Sequence, residues 1–172
     1  MAAPPKAVIA TALGLLGALW AGSASAGRVI GYESGYPPGA IPISQGAKTL
    51  SLILDSRTAI AYPVAVAKRG KEWSGSARVE AKFIEPAWSP PDSVKRDYPD
   101  LPDVIPGGSP HNPMGARAIT LDRDEIAIHG TTQAMRASIG VAASYGCIRM
   151  YNEDVIDLFD RVAVGAPVMM TR

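Results

Sequence analysis

Short apolar runs, separated by turn-forming residues, dominate the chain beyond residue 40. Several of them alternate apolar with polar residues, and each is bounded by Gly, Pro, Asp or Ser. This pattern is typical of β-strands that tight turns connect, and it predicts an antiparallel meander. Pro63 lies within one run and predicts an edge position or a bulge there, because proline donates no ladder hydrogen bond. The runs lie at residues 41–44, 49–54, 58–67 and 77–84.

The last third of the chain continues the β-rich pattern and adds helical periodicity. From Val155 to Val162 apolar residues recur three and four positions apart, which predicts a helix with Asn152 as its N-cap. These patterns together predict a mainly β fold, a sandwich or meander with one or two short helices. The other predicted elements are strands at 117–121, 125–128 and 166–170, a hairpin turn at 122–124 and a short helix within 131–138.

Residues 85–113 interrupt the strand pattern with eight prolines. Proline removes a backbone donor and fixes φ, so this segment is predicted to be neither helix nor central strand. A segment this long is seldom an idle connection inside a compact domain. Trp88 and Tyr98 favour a segment that packs against the domain, and a surface loop held only by proline stiffness is the alternative.

The N-terminus has the three parts of a secretory signal peptide. Lys6 precedes an apolar run at 7–21, and Ala24-Ser25-Ala26 is a small-x-small cleavage site. The run is shorter than the roughly 20 residues of a membrane-spanning helix, although retention as an anchor is an alternative. We therefore predict an exported protein, located in the periplasm or cell envelope, with no membrane span after cleavage. Its predicted parts are a signal peptide at 1–26, an irregular lead-in at 27–40 and one catalytic domain at 41–172.

Charge and cysteine content narrow the function classes. The formal net charge is +1 and no basic run is present, which argues against a nucleic-acid partner. The single cysteine, Cys147, excludes an internal disulfide. In an exported protein an odd thiol is either an intermolecular bridge, a reactive group or a small buried hydrophobe.

The surroundings of Cys147 favour a reactive thiol. His129 ends an apolar, β-branched run, and a histidine brought close to a cysteine can accept its proton and so activate it. Gly146 precedes the cysteine and allows a tight turn, in which successive backbone N–H groups can stabilise an oxyanion. The alternative for His129 is a structural histidine bonded at a strand end.

These residues resemble the catalytic motif of the L,D-transpeptidases, the YkuD or ErfK/YbiS/YcfS/YnhG family. That motif is a His-Gly pair followed, after a spacer, by Ser/Thr-His-Gly-Cys, an apolar residue and Arg or Asn. This chain departs from it at Tyr145, where the family usually has a second histidine. The resemblance extends over about residues 38–172. The matching residues are His129, Gly130, Ser144, Gly146, Cys147, Ile148 and Arg149, with Asn112-Pro113-Met114-Gly115 upstream.

The resemblance implies a role for each of these positions. Cys147 would be the nucleophile and His129 its base, held in one tautomer by the carbonyl of Gly130. The backbone N–H groups of residues 145–147 would form the oxyanion hole, a role that does not depend on the side chain of Tyr145. Three further residues are assigned to substrate binding: Arg149, Ser144 and Asn112, of which Arg149 would hold a substrate carboxylate unless it is tied to a local Asp or carbonyl.

The implied function is that of an exported enzyme acting on peptidoglycan tetrapeptide stems through an acyl-thioester on Cys147. The partners would be stem peptides and, as a further amine acceptor, an envelope protein. Neither a metal nor a cofactor is expected. Two alternatives stay open: a thiol-dependent hydrolase of cell-wall peptides, and a wall-binding module in which Tyr145 marks the loss of catalysis.

Overall fold

Strands form most of the regular structure in residues 27–33 and 35–172, which the computed structural model describes. The predicted signal peptide at 1–26 lies outside the described residues. The expected mainly β fold is confirmed. The strands are β1 (Arg28–Gly31), β2 (Ile41–Ser44), β3 (Thr49–Ile53), β4 (Thr58–Pro63), β5 (Val66–Ala67), β6 (Gly75–Ile84), β7 (Arg117–Leu121), β8 (Ala127–His129), β9 (Ala142–Ser144), β10 (Ile148–Arg149) and β11 (Pro167–Thr171).

Nine of these strands form one sheet, in the order β1-β4-β3-β2-β11-β6-β7-β8-β10, and β5 pairs with β9 separately. This sheet therefore contains two antiparallel meanders, β2–β3–β4 and β6–β7–β8, of which the first is the meander that the alternation predicts. The last strand of the chain, β11, joins them, because it runs parallel to β2 and antiparallel to β6. The other parallel pair of this sheet, β8 with β10, carries the candidate site.

Two local predictions concern the first meander. The lead-in at 27–40 was expected to be irregular, but it contains β1, which pairs with β4. That pairing covers residues 58–61 of β4 only, while β3 pairs with β4 as far as Pro63. Pro63 lies at the end of β4, beyond the described pairing with β1, and β3 is its one neighbouring strand among the described residues, which agrees with the edge position predicted for it.

The proline-rich segment contains α1 (Asp92–Asp97), so the prediction that it holds no helix was wrong. The helix follows Pro90 and Pro91 directly, with Pro91 as its N-cap, and no proline occurs between 92 and 98. Proline at the start of a helix costs little, because the first N–H groups have no partner within the helix. The prolines here delimit the helix instead of preventing it.

The two helices predicted near the C-terminus are present. Residues Gln133–Ser138 form a 3-10 helix whose N-cap, Thr132, accepts a hydrogen bond from the N–H of Met135. The second α-helix, α2 (Asn152–Arg161), has Tyr151 as its N-cap, so the prediction that Asn152 caps it was wrong. Asn152 is the first helical residue, and its side chain binds backbone groups of two other segments.

The core lies between the sheet and α2. Leu158 of α2 is completely buried together with Leu50, Ile119 and Ile128 from three strands. Burying apolar surface contributes about 25 cal/mol per Å², so this packing holds β7 and β8 against α2. Among the described residues, none of the helices has the length and apolar character that crossing a membrane requires.

Candidate active site

The parallel pairing of β8 with β10 brings the two halves of the motif together. His129 lies opposite Arg149, and Ile128 lies opposite Ile148. Successive side chains along an extended chain point to opposite faces, so Cys147, which directly precedes β10, lies on the same face as Arg149. Paired residues of neighbouring strands also lie on one face, so His129 is on the same face as Arg149. His129, Arg149 and Cys147 therefore project from the same side of the sheet, and the isoleucines project into the core on the other side.

His129 is buried and held by backbone carbonyl groups. Its Nδ1 is 2.9 Å from the carbonyl oxygen of Gly130, as the resemblance implies, which assigns the proton to Nδ1 and leaves Nε2 as an acceptor. Burial, together with the positive charge of Arg149, lowers the pKa of His129 to about 4. The carbonyls of Gly130 and Pro113 oppose this shift without cancelling it. The imidazole is therefore neutral at pH 7 and able to accept a proton.

Cys147 is half-buried, and its thiol is protonated in the resting structure. Sγ donates a hydrogen bond to the carbonyl oxygen of Glu125, at 3.3 Å. Burial raises the pKa of the Cys147 thiol, while the N–H of Ala127 and the charge of Arg149 act in the opposite direction. The hydrogen bonds of the described residues include none between the Cys147 thiol and His129, since the thiol bonds to the carbonyl of Glu125 instead. The resting pair is thus a neutral thiol beside a neutral imidazole.

The turn before Cys147 is organised by its own polar groups. Ser144 Oγ donates to the carbonyl of Cys147, at 2.5 Å, and accepts from the N–H of Gly146, at 3.2 Å. Gly146 adopts a φ of 134°, and a Cβ there would lie 2.6 Å from Cδ1 of Ile126, so only glycine fits. Within the described chain, the N–H groups of Tyr145 and Cys147 have no acceptor. These two are the donors still available to an oxyanion.

Ser144 and Asn112 have their polar atoms engaged within the protein. Ser144 is buried within the turn described above. Asn112 is also buried; its Oδ1 accepts from the N–H of Met114, and its Nδ2 contacts the carbonyls of Pro86, Ile105 and Pro106, at 2.9–3.2 Å. This arrangement does not support direct substrate binding by either side chain. Both instead shape the backbone that borders the site.

Tyr145 extends away from the catalytic pair, toward the proline-rich segment. Its hydroxyl donates to Asp97 at the end of α1. The ammonium of Lys68 lies 3.6 Å from the centre of the tyrosine ring and 3.4 Å from the Asp97 carboxylate. Among the described residues, the one in the position of the family's second histidine therefore forms no hydrogen bond to Cys147 or His129. It connects the turn before Cys147 to the proline-rich segment.

Arg149 is a buried cation with unused hydrogen-bonding capacity. Its Nη1 donates to Ser138 Oγ, at 2.7 Å, and its Nε has no acceptor. Across residues 27–33 and 35–172 no carboxylate lies within 4 Å of the guanidinium, and burial lowers the pKa of Arg149. A buried guanidinium without a carboxylate partner is well suited to bind an anion from outside. The alternative of a local Asp partner for Arg149 is not found among the described residues.

The residues directly after the proline-rich segment and the first residue of α2 hold the loop that follows His129. The N–H of Gly130 donates to the carbonyl of Met114, at 2.9 Å. Asn152 Oδ1 accepts from the N–H groups of Thr131 and Ala116, at 3.0 and 3.1 Å, and leaves no space for a Cβ at Gly130. This role of Asn152 was not predicted from the sequence, because no local pattern indicates a contact between residue 152 and residues 116 and 131.

The comparisons agree with the motif. The family model for YkuD, the L,D-transpeptidase catalytic domain, matches residues 38–170. A relative from Escherichia coli, "Probable L,D-transpeptidase ErfK/SrfK", is 38% identical over 67% of this chain and 38% of its own length, so this chain spans about two fifths of that protein.

Solved structures share the fold. L,D-transpeptidase 3 from Mycobacterium tuberculosis superposes with a TM-score of 0.61 at 16% identity, covering 79% of this chain and 62% of that one. A structure from Brucella melitensis, described as a probable carnitine operon oxidoreductase, is 39% identical, with a TM-score of 0.55 over 81% of this chain and 89% of that one. Since the family model covers nearly the whole described domain, including both halves of the His129–Cys147 motif, the chain belongs to the YkuD family of L,D-transpeptidase catalytic domains.

Proposed function

We propose that this chain is an exported cysteine L,D-transpeptidase that acts on tetrapeptide stems of peptidoglycan. The observation that carries the proposal is the common face of β8 and β10, where a thiol, a neutral imidazole and an unpaired guanidinium project together. The family to which the chain belongs supplies the substrate class. The donor bond would be the one between the L-centre of diaminopimelate and the terminal D-Ala.

The reaction begins with a proton transfer. Rotation about the Cα–Cβ bond of Cys147 moves Sγ from the Glu125 carbonyl toward Nε2 of His129, which accepts the thiol proton. Because burial raises the thiol pKa and lowers the imidazole pKa, the charged pair is unfavourable in the empty site. The thiolate should therefore form mainly when substrate is bound and its carbonyl is ready for attack.

The acyl-enzyme forms in the next two steps. The thiolate attacks the donor carbonyl, and the N–H groups of Tyr145 and Cys147 stabilise the oxyanion. The tetrahedral intermediate collapses, the carbon–nitrogen bond breaks, and His129 returns the proton to the amine of the departing D-Ala. An acceptor amine then attacks the thioester and gives a proton to His129. When the carbon–sulfur bond breaks, the new amide is released and His129 passes this proton to the sulfur, so that Cys147 is again a thiol.

Arg149 is the proposed anchor for a carboxylate of the donor stem. Two donors of a planar guanidinium can bind both oxygens of one carboxylate. The free Nε and the absence of an acidic neighbour within the described residues support this role. Binding would place the donor carbonyl close to Cys147, because Cys147 directly precedes β10 and lies two residues before Arg149, on the same face of the sheet.

The location in the cell follows from the predicted leader. We propose that residues 1–26 direct export and that cleavage after Ala26 releases a chain that begins at Gly27, in the periplasm or cell envelope. Mass analysis of the exported protein should find Gly27 as its first residue. An intact chain recovered from the membrane fraction would contradict this location.

In the central experiment, the mature protein is incubated with purified disaccharide-tetrapeptides and the products are identified by mass spectrometry. A transpeptidase yields a 3→3 crosslinked dimer and free D-Ala, while Cys147→Ala yields neither. Tripeptide product without dimer, unchanged when an acceptor amine is added, would identify a hydrolase. Binding without any mass change in the wild type would identify a wall-binding module. Addition of a stem to an envelope protein in place of a second stem would assign the acceptor.

A further inference from the structure

Trp73 reaches the catalytic turn from the loop that precedes β6. Its indole Nε1 donates a hydrogen bond to the carbonyl oxygen of Gly146, at 3.0 Å. The guanidinium of Arg123 lies 4.6 Å from the indole ring and covers its outer side. Trp73 is half-buried beside an open cleft, whose other lining residues include Lys71 and Asp124. The recorded hydrogen bond of the indole is thus to the backbone of the turn.

The accepting carbonyl belongs to the peptide unit that contains the N–H of Cys147. No cis peptide occurs among the described residues, so this unit is trans, and its C=O and N–H point in opposite directions. Holding the carbonyl toward the indole therefore directs the Cys147 N–H to the opposite side. That N–H is one of the two donors of the turn without an acceptor.

The turn needs such a restraint. Gly146 has a φ of 134°, a conformation open to glycine, and glycine has the widest choice of backbone conformations. Ser144 fixes the N–H of Gly146 and the carbonyl of Cys147 but not the peptide unit between them. A rotation of that unit would exchange the oxyanion donor for a carbonyl oxygen, which would repel an oxyanion.

We propose that Trp73 is a positioning residue for the oxyanion hole: its indole N–H holds the Gly146–Cys147 peptide unit in the orientation that presents the Cys147 N–H to the substrate. This inference rests on the proposed function, since an oxyanion forms only in attack on a carbonyl carbon. It predicts that loss of the indole N–H slows acylation and leaves the thiol itself unchanged.

The test compares two electrophiles on Trp73→Phe. Opening of a carbapenem ring passes through an oxyanion, whereas alkylation by iodoacetamide does not. We expect the acylation rate to fall about tenfold, because one hydrogen bond no longer orders the donor. The rate and pH profile of alkylation should match the wild type. Trp88→Phe, which alters a tryptophan outside the turn, is the matched control and should change neither rate.

A backbone measurement keeps this inference separate from the proposed function. The amide ¹⁵N resonance of Cys147 should shift in Trp73→Phe and stay in place in Trp88→Phe. An unshifted resonance, or acylation and alkylation that fall together with the melting temperature, would overturn the role of Trp73. A wild type that opens the carbapenem but makes no crosslink or tripeptide would remove the proposed function and leave the role of Trp73 standing.

A second and independent observation concerns Asp154 in the first turn of α2. This carboxylate is 5% exposed, and its Oδ1 accepts a hydrogen bond from the backbone nitrogen of Gly27, at 3.2 Å. Within the described residues no Lys or Arg nitrogen lies within 4 Å of it. Burial raises the pKa of Asp154, as do the nearby carboxylates of Glu153 and Asp157, while the N–H of Gly27 and the more distant charge of Arg136 act in the opposite direction. This buried carboxylate has no cation in direct contact among the described residues.

Gly27 is also the residue that the proposed cleavage would make the first of the mature chain. A Cβ there would lie 2.5 Å from side-chain atoms of Ile60 and Tyr62, so the site accepts glycine alone. A protease that hydrolyses the Ala26–Gly27 bond adds water across it and leaves an amine on Gly27. At neutral pH this amine carries a proton and a positive charge.

We infer that Asp154 is the binding site for the α-ammonium of the processed chain, which forms an ion pair in place of the amide hydrogen bond. Leader removal would then stabilise α2, whose first residue, Asn152, holds the loop after His129. This inference rests on cleavage before Gly27 and is independent of the reaction that the enzyme catalyses.

The test compares chains that begin at Gly27 with a free amine and with an acetylated amine. Acetylation retains the N–H donor and removes the charge. The free amine should raise the melting temperature by about 2–4 °C in the wild type and by much less in Asp154→Asn. Asp160→Asn, an exposed acid of the same helix, should retain the full difference. Equal melting of the free and acetylated wild-type chains would overturn the inference.

Discussion

The two sides of Cys147 differ in almost every physical respect. On the inner side, His129 and Arg149 are buried and held by backbone carbonyls and a serine hydroxyl. On the outer side, Tyr145, Asp97 and Lys68 form a cluster of charged and polar groups at the surface. A substitution within the family's motif, tyrosine for histidine, occurs on the outer side.

This difference indicates on which side of Cys147 a substitution can occur without loss of activity. Burial lowers the pKa of His129, and Arg149 has no counter-ion among the described residues. Both features depend on the exclusion of water, so exposure to solvent would remove them. Exposed ion pairs contribute little to stability, because water and salt screen them. We therefore expect the inner side to determine activity and the outer side to adjust the neighbouring segment.

The largest expected effects come from the loss of Cys147 or of His129. Cys147→Ala should show no carbapenem adduct, because it has no nucleophile. His129→Ala should acylate at least about a hundredfold more slowly, because its thiol stays protonated without a base. Intact-protein mass spectrometry over time measures both rates. A carbapenem adduct on Cys147→Ala would show that the nucleophile is another residue.

Acid should destabilise the protein through His129. The unfolded chain binds a proton on this side chain near pH 6.5, but the folded chain binds it only near pH 4. Protonation therefore favours unfolding as the pH falls between these values, and the free energy of unfolding should decrease by about 3 kcal/mol from this residue. Denaturant titrations at several pH values measure the decrease.

Two variants isolate that contribution. His129→Gln removes the titrating group, so its free energy of unfolding should vary less between pH 6.5 and 4 than that of the wild type. His111→Gln, which replaces the exposed histidine outside the motif, is the control, and the difference in its free energy of unfolding between pH 6.5 and 4 should match that of the wild type. Parallel curves for the wild type and His129→Gln would show that the folded imidazole titrates as it does in the unfolded chain.

Replacing the buried guanidinium should have the next largest effect. Arg149→Lys keeps the charge but loses the planar pair of donors, so kcat/KM should fall about tenfold or more. Arg161→Lys, at an exposed ion pair of α2, is the control and should leave kcat/KM unchanged. Wild-type kinetics for Arg149→Lys, with an unchanged melting temperature, would assign this side chain a structural role.

The smallest effects are expected on the outer side. Tyr145→Phe and Asp97→Ala each remove the hydrogen bond between the turn and α1, and each should change the acylation rate by less than about threefold. Tyr145→His restores the residue that the family usually has and should also be active. A wild type that does not acylate, beside a His variant that does, would show that this chain has lost catalysis and favour the wall-binding alternative.

Sequence reasoning succeeded where the signal was local. Alternation predicted the strands of both meanders, and the spacing of apolar residues predicted α2. Predictions were wrong where the context of a residue in the folded chain outweighed a rule based on local sequence. Asn152 looked like an N-cap, but its amide binds the backbone of residues 116 and 131, so Tyr151 takes the cap position. The proline-rich segment looked unable to form a helix, yet its prolines leave space for α1.

Residue types and their spacing, with the family resemblance that they carry, were enough to predict the fold class, the family and the thiol, imidazole and guanidinium of the candidate site. Which of these groups are neutral, and which donors are free among the described residues, depends instead on the folded structure. A pKa depends on burial and on charges brought close by folding, as for His129 beside Arg149. The hydrogen bond from Trp73 to Gly146 joins residues 73 positions apart, and no pattern within either segment encodes it.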